Sequence, residues 1–129
     1  MNYNKYYNQK TYTSDGIKHD SQKEAMRWAE LKLLQRAGEI YDLQRQVEFE
    51  LIPNQYDLIE RVSKNTGKPL KSEKKLIERK VCYIADFVYT DKNGNIVVED
   101  TKSEITQTPV FVVKRKLMLY VHGIKVKII

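Results

Sequence analysis

The sequence predicts an α/β fold: one mixed sheet flanked by helices, over a single domain spanning 1–129. Three observations carry this expectation. Runs with helical and strand periodicity follow one another as α-β-β-β-α-β. Turn dipeptides punctuate the strand runs. A capped helix stands between the third and last strands, where two strands of one sheet need a crossover.

Residues 1–10 are polar with interleaved Tyr3, Tyr6 and Tyr7, and read as a flexible lead-in. Asp15-Gly16 is a strong turn signal and predicts a small hairpin, 11–13 against 17–19. The first helix follows. Ser21 is its N-cap, with Glu24 at capping-box spacing. Met26, Ala29, Leu33 and Ala37 share one face, widened by Trp28, Leu31 and Leu34, and Gly38 is placed to stop the helix. In the strand 44–52, Val47, Phe49 and Leu51 alternate with Gln46, Glu48 and Glu50, and Pro53 ends it.

Residues 60–80 contain Asn65-Thr66-Gly67 and Lys68-Pro69, and read as a loop or a projecting hairpin. The second strand is 81–90. The turn Asp91–Asn95 leads into the third, 96–102. The second helix runs from Thr108 to His122, with Thr108 as N-cap, Pro109 at N1 and Gly123 as its stop. A last strand, 124–129, alternates Ile124, Val126 and Ile128 with Lys125 and Lys127.

Composition narrows the function classes. One Cys excludes a disulfide framework and a Cys-based zinc site, and two His make a His-rich metal site a poor reading. Cys82 reads as a small buried apolar residue. No apolar run approaches the ~20 residues of a membrane span, and no signal-like stretch opens the chain. The expectation is a soluble, cytoplasmic protein. The formal net charge is +6, and the window 60–80 holds eight Lys/Arg against three Glu, so the excess is local. A basic small domain suggests a polyanionic partner, most often nucleic acid.

The central hairpin carries the chemistry. On the second strand Ile84, Asp86 and Val88 share a face; on the third, Ile96, Val98, Asp100 and Lys102 do. Two acids thus meet on neighbouring strands at the margin of an apolar face, where a carboxylate needs a partner. A divalent cation is one such partner, since Mg²⁺ takes one or two carboxylates plus water and phosphate. A neighbouring lysine can orient water or stabilise a phosphorane. A plain ion pair between Asp100 and Lys102 on a solvated face reads equally well from spacing alone.

This element order and constellation resembles the PD-(D/E)XK nuclease superfamily, which includes restriction endonucleases, very-short-patch repair endonucleases and Holliday junction resolvases. The resemblance covers about residues 20–129 and implies a restriction-endonuclease-like αβββαβ core, with 60–80 as an insertion. Asp86 matches the acid late on the second core strand, Asp100-Thr101-Lys102 the (D/E)-X-K motif, and Glu24 the acid of the first helix. Ala85 stands where the superfamily name has Pro. The strings at 16–40, 43–53, 83–89 and 97–102 are also similar to a family of small, nuclease-like phage and prophage proteins.

The resemblance implies a Mg²⁺- or Mn²⁺-dependent DNA endonuclease. Phage recombination, replication or repair is the implied setting, and the implied location is the host cytoplasm. Asp86, Asp100, Glu24 and the Thr101 carbonyl are the implied metal ligands. Lys102 positions or activates the water, and cleavage leaves a 3′-hydroxyl and a 5′-phosphate. Branched DNA, Holliday junctions in particular, is the first expected substrate, and two symmetric cuts would call for a homodimer.

Each secondary candidate has a competing role. Glu24 also suits the capping box. Gln46, an accessory candidate near the metal, also reads as an ordinary polar face residue. Glu99 points away from Asp100 and would replace it only across a bulge. His19 and His122 read as surface or turn histidines. Lys114 and Lys116 on the second helix are candidate DNA contacts or a solvated face. Lys68, Lys71, Lys74 and Lys75 in the basic window are candidate phosphate contacts. Two other classes stay open: a non-catalytic nucleic-acid-binding protein on the same fold, and a protein–protein adaptor using the Tyr-rich N-terminus.

Overall fold

The structure, a computed structural model, describes residues 10–102 and 107–129. It forms two compact units: Met1–Phe49 with Tyr83–Ile129, and the intervening Glu50–Cys82.

The first unit opens with a two-stranded hairpin, β1 (Thr11–Tyr12) against β2 (Lys18–His19). Asp15 in its turn accepts from the Ile17 amide at 3.1 Å, from the Trp28 indole at 2.7 Å and from Lys32 at 2.9 Å, and also from the Thr13 hydroxyl. These donors, Thr13 foremost, hold its carboxyl well below the usual carboxylate range. The turn is thereby tied to helix α1 (Gln22–Arg36).

Helix α1 starts as the sequence predicts. The Ser21 hydroxyl accepts from the Glu24 amide at 3.1 Å. Its end is a Schellman motif: Gly38 (φ 79°) donates to Gln35 O and Glu39 donates to Leu34 O. The buried face differs from the expected one. Ala25, Trp28 and Leu31 face the core, whereas Met26 and Leu33 are 60% and 61% exposed. Trp28 decides this, because it stacks on Phe87 with ring centroids 6.0 Å apart, and its burial turns the Met26–Ala29–Leu33 face to solvent. Leu31, Ile40 and Tyr89 complete this cluster, with Ile17, Leu43 and Val97 packed against it.

A four-stranded sheet, in the order β3-β6-β7-β8, receives the helix. Its strands are β3 (Tyr41–Ile52), β6 (Val81–Thr90), β7 (Ile96–Asp100) and β8 (Lys127–Ile128). β6 and β7 are antiparallel, with Phe87 opposite Glu99 and Val88 opposite Val98. β7 and β8 are parallel, so the sheet is mixed as expected. The third strand is shorter than predicted: it stops at Asp100, and Thr101 and Lys102 lie beyond it. The last strand likewise shrinks to two residues. Helix α2 (Pro109–His122) has the predicted caps. Thr108 accepts from the Phe111 amide at 3.2 Å, and Gly123 takes φ 68° at the C-cap.

The second unit contains an antiparallel hairpin, β4 (Gln55–Val62) against β5 (Pro69–Glu78). The basic window is therefore mostly ribbon, and the ribbon begins before residue 60. No helix among the described residues is long and apolar enough to cross a membrane.

Candidate functional site: the Asp86–Asp100 carboxylate pair

The β6–β7 register of Phe87 with Glu99 and Val88 with Val98 continues to Asp86 opposite Asp100. The two acids expected to meet do so, close enough for the Asp86 carboxylate to raise the pKa of Asp100. Their environments differ. Asp86 Oδ2 accepts from both the amide and the hydroxyl of Thr101, at 2.9 and 2.8 Å. Asp100 is 2% exposed. Its Oδ2 accepts from the Tyr83 hydroxyl at 2.6 Å, while its Oδ1 is buried and has no hydrogen-bond donor.

Two neighbouring carboxylates disfavour double ionisation, and a proton on one of them or a cation between them relieves the repulsion. In the metal-free protein the proton goes to Asp100. Burial first, then the Asp86 carboxylate, pushes its pKa up to about 8, against the opposing pull of Tyr83 and Lys102. Lys102 is within 3.8 Å of the unpartnered Oδ1, its ammonium 5.2 Å from the centroid of the Phe111 ring. So Lys102 reaches Asp100 although it has left the strand.

Glu24 joins the same neighbourhood from the first turn of α1. It is 4% exposed, and burial, then Asp86, pushes its pKa up to about 7. Gln46 links the two acids: its amide nitrogen is 3.4 Å from Glu24 Oε1 and 3.4 Å from Asp86 Oδ1. It does so from a left-handed backbone conformation, φ 53°, inside an extended strand. Only a few per cent of non-glycine residues adopt it, and it re-aims the side chain. Alternation alone could not supply this geometry.

His19 corrects the expectation of a surface histidine. It is 1% exposed, with Nδ1 3.6 Å from Glu24 Oε1 and Nε2 3.2 Å from the Thr13 hydroxyl oxygen. Burial first, then Arg45, lowers its pKa. Arg45 also approaches Glu24, at 3.9 Å. His122 is exposed and meets the Phe49 ring edge-on at 5.7 Å.

Glu99 faces the opposite side of β7, as expected, with no shift in register. It is fully buried and held by Arg27 through two bonds of 2.7 Å, and by the Tyr89 hydroxyl. Burial first, then Glu99, pushes the Tyr89 pKa up to about 12.

Sequence reasoning missed Tyr83, because strict alternation places it on the face opposite Asp86. It also missed Arg27, whose partner lies 72 residues away. Neither position carries a local signal. Of the lysine candidates, Lys114 and Lys116 lie on α2, and Lys68, Lys71, Lys74 and Lys75 belong to the second unit.

Among the described residues, no three His, Cys, Asp or Glu side chains form a ready-made metal cage. Mg²⁺ does not need one, because it usually keeps several waters and binds through one or two carboxylates plus phosphate. The buried, donorless Asp100 Oδ1 beside Asp86 is an oxygen-only donor set of that kind.

The fold and site thus define an α/β domain with a paired-carboxylate centre and an adjacent lysine. Residues 4–128 match the family described as "Protein of unknown function (DUF1064)", and the chain belongs to that family. No curated protein and no solved structure matches it.

Proposed function

We propose that the protein is a metal-dependent DNA endonuclease on a restriction-endonuclease-like core. The observation that carries this reading is the cross-strand pair Asp86–Asp100, whose buried Oδ1 lacks a donor and faces the Lys102 ammonium. The order α1, β3, β6, β7, α2, β8 supports it, since it repeats the αβββαβ sequence of that core.

Asp86 and Asp100 would hold Mg²⁺ or Mn²⁺, with Glu24 as a third or second-metal ligand and the Thr101 carbonyl as a further oxygen. When bound, the cation supplies a nucleophile at neutral pH and stabilises the leaving oxygen. Thr101 fixes Asp86 through two hydrogen bonds, Tyr83 fixes Asp100, and Gln46 spans Asp86 and Glu24. Lys102 orients the attacking water and offsets charge on the phosphorane. Water adds to phosphorus in line, the P–O3′ bond breaks, and the products are a 3′-hydroxyl and a 5′-phosphate. Lys114 and Lys116, and the ribbon lysines Lys68, Lys71, Lys74 and Lys75, contact phosphates. Branched DNA is the favoured substrate and a homodimer the working assembly.

The test is cleavage of labelled four-way junction, flap and linear duplex DNA with Mg²⁺, Mn²⁺ or EDTA. The wild type is compared with Asp100→Ala and Lys102→Ala. Metal-dependent cutting that both substitutions abolish is the expected result. No cutting under any condition, with DNA binding intact, would overturn the catalytic reading and leave a nucleic-acid-binding domain.

A further inference from the structure

We propose that the β4–β5 hairpin is a preformed ribbon that enters the major groove of duplex DNA, which makes duplex nucleic acid the substrate class of the site above. The inference deepens the nuclease reading and rests on it only for the chemistry; the binding claim stands on the hairpin itself.

Every residue of β4 and β5 is exposed, on both faces of the ribbon. Seven are large and apolar: Tyr56, Leu58, Ile59 and Val62 on β4, and Leu70, Leu76 and Ile77 on β5. An isolated two-stranded hairpin is marginal in water, so a ribbon with this much exposed apolar surface calls for a partner. The hairpin is nevertheless built to hold its shape. Its turn is closed by Ser63 N–H to Lys68 O at 2.8 Å and Gly67 N–H to Ser63 O at 2.8 Å, and the Ser63 hydroxyl accepts from the Asn65 and Thr66 amides. Arg61 pairs with Glu73 across the strands at 3.1 Å, and Lys74 lies 5.4 Å over the Tyr56 ring.

Charge identifies the partner. The acids of the ribbon, Asp57, Glu60, Glu73 and Glu78, flank the tip segment and none lies within it. From Arg61 to Ser72 there is no acid, and the cations are Arg61, Lys64, Lys68 and Lys71. No described acid pairs with Lys64, Lys68 or Lys71 in an ion pair. Two such tips would repel each other, which disfavours a second copy of the chain as occupant. A polyanion is attracted.

Shape then selects the groove. The major groove, about 12 Å wide, admits a two-stranded ribbon, whereas the minor groove, about 6 Å wide, does not. Two-stranded ribbons also twist strongly in the sense that follows a groove. The apolar side chains can meet thymine methyl groups while the tip cations reach the flanking phosphates.

The experiment is fluorescence-anisotropy binding of the full chain in EDTA, so that no metal chemistry intervenes. Probes are a duplex, its single strand, and the same duplex with bulky glucosylated hydroxymethylcytosines filling the major groove. The proposal expects at least tenfold weaker binding to the filled duplex and to the single strand, and no displacement by the minor-groove ligand distamycin. The exposed triple variant Lys64→Gln/Lys68→Gln/Lys71→Gln, checked for an unchanged circular dichroism spectrum, should lower the slope of log affinity against log salt by about 0.9 for each phosphate it no longer neutralises. Indifference to groove filling, displacement by distamycin, or an unchanged salt slope would each overturn it. So would concentration-dependent self-association that Leu58→Ser or Leu76→Ser abolishes. A protein that cuts DNA but shows these negative results keeps the nuclease and loses the ribbon; one that binds through the ribbon but never cuts keeps the ribbon and loses the nuclease.

Discussion

Replacing Arg27 with Met removes the cation from a carboxylate that has no access to water. Glu99 is fully buried, and Arg27 reaches it with two parallel bonds of 2.7 Å, the fork geometry that makes such pairs strong. Breaking a buried pair by deleting one partner costs about 3–5 kcal/mol, because the other charge stays buried. The Arg27 side chain is 18% exposed, so part of its own desolvation is recovered and the lower end, about 3 kcal/mol, applies. Against a total stability of roughly 5–15 kcal/mol this is a large fraction.

In thermal unfolding it corresponds to a fall in Tm of roughly 10–15 °C for a domain of this size. Arg27→Met/Glu99→Gln should recover part of the loss at pH 7, because the neutral amide needs no cation. A loss below about 1 kcal/mol at pH 7, the range of exposed pairs, would refute the argument.

Other outcomes follow from the same structure. Asp100, with its pKa near 8, and Glu24, near 7, hold protons in the fold that the unfolded chain releases near pH 4. Metal-free protein should therefore lose stability as pH rises from about 5 to 8, and Asp100→Asn should flatten that slope in urea titrations. Tyr83→Phe removes the donor on Asp100 Oδ2 and should weaken Mn²⁺ binding about 10–100-fold by calorimetry, with a stability change of only ~1 kcal/mol. Gln46→Gly accepts φ 53° without strain; relief of about 1–2 kcal/mol offsets a glycine penalty of about 0.5–1 kcal/mol. That variant should unfold no earlier than wild type while cutting more slowly, and a destabilised Gln46→Gly would contradict the strain assignment.

How far the sequence could be read differs by kind of signal. Helix ends were legible because a cap is local: Ser21, Thr108, Gly38 and Gly123 each act within a few residues. The Asp86–Asp100 pairing was legible too, because the turn Asp91–Asn95 determines the register. The buried face of α1 was not. Two apolar stripes compete there, and only the Trp28–Phe87 stacking, between residues 59 positions apart, decides between them. Tyr83, Arg27 and His19 were hidden for the same reason, since each acquires its meaning from a partner across the fold. The ribbon was legible from its turn residues only as a loop or a projecting hairpin over 60–80; the extent of its strands was not, because both faces mix charged and apolar side chains and no period of two emerges.

The two adjacent acids of β7 have unlike duties. Glu99 points to Arg27 and Tyr89, while Asp100 points to Asp86 and Tyr83. A slip of one residue in the β6–β7 pairing would exchange them, offering Asp100 to the arginine and Glu99 to the carboxylate pair. The shorter side chain could not span to Arg27 as Glu99 does, and the longer one would crowd Asp86. The difference of one methylene between Asp and Glu thus acts as a check on strand register. A chain that has mispaired at this hairpin also forfeits its arginine clamp, so misregistered molecules are unstable as well as inactive, and no long-lived population of folded but disarmed protein should accumulate.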